Sequence, residues 1–158
     1  LYVSKKIEAR ALLQFDVSGV AAGKLVKSAM LRLYFTRVTD DGDAATQTSD
    51  AAQLNVHALT KSWKELEATW RRRIIGGNWT TQGGDYRSTA VTTTTVADNT
   101  PPGRWVEFEV KTVVQEWVDG VTVNNGLIVI LPGSSDDELI FNSRQAATNP
   151  PQLVVTYQ

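Results

Sequence analysis

Apolar and polar residues alternate with a period of two through most of this chain. Over residues 9–17, Ala9, Ala11, Leu13, Phe15 and Val17 fall on one face and Arg10, Gln14 and Asp16 on the other, with Leu12 as the exception. The same pattern sets Ala29, Leu31, Leu33 and Phe35 against Arg32 and Tyr34. It sets Leu54, Val56 and Ala58 against Asn55 and His57, and Val106, Phe108 and Val110 against Glu107 and Glu109. Successive side chains of a strand point to opposite faces, so each run predicts a strand with one buried side. Residues 126–131 are almost continuously apolar, as for a central strand covered on both faces. Leu1-Tyr2-Val3, residues 139–141, residues 153–157 and the Val- and Thr-rich stretch 88–96 complete the set.

One segment departs from this period. Val113, Val114, Trp117 and Val118 stand at helical spacing, with Thr112 placed as an N-cap and Gly120 as a stop, which predicts a short helix over 112–119. Turn residues punctuate the strands: Asp40-Asp41-Gly42-Asp43, Pro101-Pro102-Gly103, Asn124-Asn125-Gly126, Pro132-Gly133 and Asn149-Pro150-Pro151. Many short strands, frequent turns and one helix predict a single all-β domain over 1–158, an antiparallel β-sandwich of jelly-roll type. The longest loop is expected over 39–52, polar and acidic.

Composition narrows the function. The chain has 158 residues and a formal net charge of −1, so it offers no overall field to attract nucleic acid. No apolar run approaches the roughly 20 residues of a membrane span. There is no cysteine, which removes disulfides, thiolate metal sites and thiol nucleophiles. The one histidine, His57, is expected at a surface or edge, and no Ser-His-Asp set is recognisable. Glu65 and Glu67, and Glu107 and Glu109, are read as solvated or capping residues ahead of a catalytic pair.

Three of the five tryptophans, Trp63, Trp70 and Trp79, lie in one connection between strands. Such a connection either plugs the end of a sandwich or offers flat rings to a ligand. Trp63 and Trp70 are expected as plugs. Trp79, after Gly76-Gly77-Asn78, is expected to be exposed, and Trp105 alternates out of phase with its strand's core residues. Arg71-Arg72-Arg73 follow Trp70 directly, and guanidinium forks suit carboxylates and sulfates. Arg71, Arg72, Arg73, Arg87, Trp79 and Trp105 are therefore the candidate ligand contacts, with Lys5, Lys6, Arg37 and Arg104 as further cations. Asp40, Asp41 and Asp43, the cluster Asp136, Asp137 and Glu138, and Asp85 are candidate calcium ligands, against the alternative of solvated turns. No other cofactor is called for.

Leu12-Leu13-Gln14-Phe15-Asp16-Val17, followed by Ser28-Ala29-Met30-Leu31-Arg32-Leu33-Tyr34, resembles the opening of the DNRLRE domains, also described as family 96 carbohydrate-binding modules. The resemblance continues through residues 60–70 (T-x-x-W-x-E-x-x-x-T-W), 79–85 (W-x-T-x-G-G-D) and 113–120. It then runs through Asn125-Gly126-Leu127, Phe141-Asn142-Ser143-Arg144-Gln145 and Pro151-Gln152-Leu153-Val154-Val155. It implies an extracellular jelly-roll module of a larger secreted or surface protein, often beside glycan-degrading enzymes. It also implies a first strand ahead of Leu1-Tyr2-Val3, so this chain is expected to be cut from a longer one and to leave a sheet edge open. Two readings follow. The first is a non-catalytic module that binds acidic polysaccharide through arginines and an aromatic ring. The second is a structural block of an adhesin or filament that accepts a donated strand from another subunit or packs on neighbouring domains. An enzyme in its own right ranks last.

Overall fold

The computed structural model describes residues 1–5, 8–40, 43–45, 48, 51–132 and 137–158. In chain order the elements are β1 (Tyr2–Val3), β2 (Ala11–Leu13), β3 (Val26–Asp40), β4 (Asp43–Ala45), β5 (Ala52–Ala58), β6 (Arg72–Ile74), β7 (Gly77–Asn78) and β8 (Thr92–Val96). There follow β9 (Arg104–Glu109), α1 (Lys111–Val118), β10 (Leu127–Ile130), β11 (Asp137–Phe141) and β12 (Gln152–Tyr157). The expected all-β sandwich is present, built of antiparallel sheets with one helix.

The first sheet is organised on β3, whose alternate residues Ala29, Leu31, Leu33 and Phe35 are fully buried. Met30, Leu31 and Arg32 pair with both β9 and β12, and Phe35 pairs with both β9 and β11. A strand residue has one neighbour on each side, so β11 and β12 lie end to end along the same edge of β3. The segment 142–151 loops out between them. On the opposite edge β9 is followed by β4, and β1 adds to the outside of β11. The second sheet runs β2-β10-β5-β8. Phe35, Phe108 and Phe141 from the first sheet and Leu54 and Leu127 from the second fill the space between the layers.

The helix closes one end. Val113, Val114, Trp117 and Val118 are its buried face, as expected. It starts at Lys111, one residue early, and Thr112 does not cap it; the Glu109 carboxylate accepts the Lys111 amide at 2.9 Å instead. Gly120, at φ +68°, ends it. Its amide donates to the Trp117 carbonyl and the next amide, Val121, to Glu116, so two otherwise orphaned carbonyls are satisfied.

Three expectations change here. The 39–52 stretch is not simply a loop: β3 continues to Asp40 and β4 returns on it, which sets Asp40 opposite Asp43 across a hairpin. Asp41 lies outside the described residues. The first alternating run yields only three residues of ladder, because the chain turns where the Asp16 carboxylate accepts the Ser18 amide at 2.8 Å; Phe15 and Val17 still drop onto the core. His57 is not a surface residue. It is 7% exposed, packed against the Tyr86 ring of a third layer that lies on part of the outer face of the second sheet.

That layer is the tryptophan-rich connection, folded back as the β6–β7 hairpin with flanking turns. It forms a second apolar core of Leu59, Trp79, Ile128 and Ile130, with Leu12, Trp63 and Tyr86 packed against it. The layer explains why all of β10 is buried. It also explains why Leu12 breaks the alternation: an outward leucine on β2 faces indoles, not water.

Candidate functional site

Trp79 does not present a platform. Only 6% exposed, it sits at the heart of the second core, and its indole N–H donates to the Thr69 carbonyl at 3.0 Å. The Gly-Gly-Asn approach that reads as a loose loop is the turn and return strand of the hairpin, which swings the ring inward. Trp70 is half-buried under the Arg10 guanidinium, 4.7 Å from the ring centre, and Arg10 also lies 5.7 Å from the Tyr86 ring. Arg10 Nη1 donates to the Gly83 carbonyl at 3.0 Å. A Cβ at Gly83 would stand 2.6 Å from Trp70, and its φ is +86°, so glycine is required there.

The arginine run does not form a patch. Arg72 Nε donates to the Glu67 carbonyl at 3.2 Å and Arg73 Nη1 to the Ser62 carbonyl at 3.0 Å, so both guanidinium groups tie the connection together. Arg71 is exposed and makes no such side-chain contact among the described residues. Arg87 is committed to Glu116 on the helix at 2.5 Å, and that hydrogen bond holds the Glu116 carboxyl below its ordinary range. Trp105 lies on the outer face of the first sheet. The Tyr34 ring meets it edge-on at 5.2 Å, and Arg32 lies 4.6 Å over it while pairing with Glu107 at 2.8 Å. The six expected contacts are thus divided among the third layer, the segment before β8 and the outer face of the first sheet. Lys5, Arg37 and Arg104 are exposed, and Lys6 lies outside the described residues.

The calcium candidates fare differently from one another. Both oxygens of Asp85 accept backbone amides, Oδ2 from Thr80 at 2.8 Å and Oδ1 from Thr81 at 3.0 Å, and Lys61 approaches to 3.3 Å. Burial pushes this carboxyl up, but those donors outweigh burial and hold it below its ordinary range. Asp85 is therefore a turn lock. Glu138 accepts the Thr39 hydroxyl at 2.8 Å, and Asp136 lies outside the described residues. No group of three metal-ligating side chains stands together among the described residues.

What the fold does bring together is a cleft of about 630 Å³ at the edge of the second sheet. Its floor is β2 and the residues after it, Leu12 to Asp16. Trp63 and Glu65 form one wall, and Ser143, Arg144 and Gln145, from the excursion between β11 and β12, form the other. Several of these residues are braced from behind. The Trp63 indole N–H donates to the Asn125 carbonyl at 3.0 Å, and Gln14 Nε2 donates to the Asn124 carbonyl at 2.9 Å. Asn124 Nδ2 donates to the Phe15 carbonyl at 2.8 Å, and Asn142 Nδ2 braces the excursion through the Thr148 carbonyl at 2.9 Å. Across the cleft Arg144 Nε pairs with Glu65 at 2.9 Å, and Gln145 Nε2 donates to Glu65 at 3.3 Å. The Ser18 amide holds the Asp16 carboxyl below its ordinary range, so it is an acceptor at neutral pH.

An indole beside amides, a hydroxyl, carboxylates and one guanidinium suits a ring that is apolar on its faces and hydroxylated at its rim. The model of carbohydrate-binding module family 96 matches residues 1–157. The chain belongs to that family. A family 96 module is a non-catalytic binding unit, which fits a site built to hold. No curated protein matches the chain. No helix among the described residues is long and apolar enough to cross a membrane.

Two of the stretches that carry the resemblance, 60–70 and 141–145, meet at this cleft of the family 96 module through Glu65 and Arg144. Reasoning from the sequence read Glu65 as a solvated or capping residue and passed over Arg144, Gln14, Asp16 and Asn124.

Proposed function

We propose that this module binds acidic polysaccharide in the cleft between Trp63 and the 143–145 lip, as the glycan-holding part of a secreted or surface protein. The observation that carries the reading is the Glu65–Arg144 pair spanning the cleft mouth. Arg144 is the lip's cation, its side chain is 72% exposed, and its fork is free to exchange Glu65 for a uronate carboxylate. Trp63 supplies an apolar wall for a sugar face. Such a module keeps an attached partner near insoluble substrate by raising effective concentration.

Affinity electrophoresis in polyuronate gels tests this. Arg144→Ala should weaken retention about tenfold, the scale of one hydrogen bond to a charged group. Glu65→Gln, which removes the competing carboxylate, should strengthen it, and added salt should weaken it. Arg144 is exposed, so its loss leaves the fold intact. Retention unchanged in both variants would overturn the assignment.

A second reading, a building block joined by strand addition, draws on one observation. Among the described residues β12 pairs only with β3, and beside its outer edge runs an apolar groove of about 370 Å³ lined by Phe15, Val17, Val20, Leu153, Val155 and Tyr157. Sedimentation across a wide concentration range decides it: growth beyond the monomer supports this reading, and a monomer throughout removes it.

A further inference from the structure

The outer face of the second sheet carries another concavity, of about 580 Å³, separate from the cleft and sharing no residue with it. It is lined by Asn55, His57, Asp85, Tyr86, Ser88 and Ile130, among others. His57 lies 2.8 Å through Nδ1 from the Arg87 carbonyl. A carbonyl only accepts, so Nδ1 carries the proton, and in the neutral ring Nε2 is left as a bare acceptor. Nε2 has no hydrogen-bond partner among the described residues. Nor is it sealed from solvent, since no fully buried side-chain nitrogen or oxygen there goes unpaired. His57 is among the residues that line the groove, with Nε2 as its unpaired ring nitrogen.

The surroundings complete a recognition set. Asn55 Oδ1 already accepts the Thr93 hydroxyl at 3.0 Å, which leaves its amide N–H groups to donate. Tyr86 is held in place beside the groove, with the His57 ring 4.9 Å away and the Arg10 guanidinium 5.7 Å from its ring. Ile130 gives an apolar base. The charged side chain among these, Asp85, has both oxygens occupied by backbone amides. Acceptor, donor, aromatic flank and apolar base converge with no free charge.

We infer that this groove is a second carbohydrate site, for uncharged hydroxyl-rich sugar chains, independent of the cleft that Arg144 guards. It extends the reading of the module as a glycan binder to another face and another ligand charge, and the two can fail separately. The groove size suits a short run of sugar residues.

The test is NMR titration of the full chain with neutral β-1,4-glucan, mannan and xylan hexasaccharides at millimolar concentration. The His57 Nε2 resonance and the Tyr86 ring signals should shift with at least one of them. The shifts should persist in Arg144→Ala, which disables only the cleft. They should vanish in Ser88→Trp, an exposed position where an indole fills the groove without touching the core. Shifts confined to Trp63, Gln14 and their neighbours, shifts that survive Ser88→Trp, or no shift with any of the three would overturn the second site.

Discussion

Trp79→Ala separates a ring that holds the fold from one that holds a ligand. An indole buries roughly 150–250 Å², a gross gain of about 4–6 kcal/mol at ~25 cal/mol per Å². Here almost all of that area faces Leu59, Ile128 and Ile130, so removing it leaves a void between the third layer and β10. Aromatic-to-alanine changes in a core cost about 3–5 kcal/mol. For a domain of this size each kcal/mol lowers the melting temperature by about 2–4 °C, so the expected fall is about 6–20 °C. Trp79→Phe refills most of the space and loses the bond to the Thr69 carbonyl. It should cost only about 1–2 kcal/mol, close to the value of that bond plus a small packing loss. Thermal melts followed by circular dichroism measure both. Glycan retention, taken well below the melting point, should survive the phenylalanine change. An alanine variant that melts within about 2 °C of the parent yet no longer binds would refute the plug and return Trp79 to the ligand.

Two further changes probe the same layer. Gly83→Ala places a Cβ 2.6 Å from Trp70 and 2.7 Å from Arg10 Nη1 at φ +86°. Strain and overpacking should together cost about 2–5 kcal/mol in a urea titration, and a neutral result would show that the Trp70–Arg10 stack is loose. The Asp85 carboxyl is held below its ordinary 3.8, since the amides and Lys61 outweigh burial. Its contribution is therefore complete above that value and is lost as pH falls through the lower folded value. Asp85→Asn should be less stable at neutral pH and should close the gap to the parent in strong acid; parallel curves across that range would contradict the lock.

The sandwich was legible because most strands bury one face, and alternation reports that directly. Its two blemishes, Leu12 on a polar face and an unbroken apolar β10, were marks of a third layer, but a period-two reading has no term for what lies beyond the sheet. Trp79 was misplaced for a local reason: glycines before it signal a turn, and a turn says nothing about which way the returning strand faces. Arg71–Arg73 looked like a patch because they are adjacent in sequence, whereas extended backbone sends neighbours in opposite directions, and Arg72 and Arg73 end on different carbonyls. The cleft was invisible because its floor, walls and lip come from residues 12–16, 63–65 and 143–145, which only the pairing of β10 with β2 and of β11 with β3 assembles.

The lip bearing Arg144 leaves the ladder after β11 and rejoins it at β12, with both flanks hydrogen-bonded to the same long partner. Residues can thus be added to or removed from this detour without breaking a rung, and closing a detour of twice the length costs only about 0.6 kcal/mol more. In the proposed site this segment is a replaceable cassette: swapping it should retune which sugar chain the cleft takes while leaving the scaffold's stability nearly unchanged.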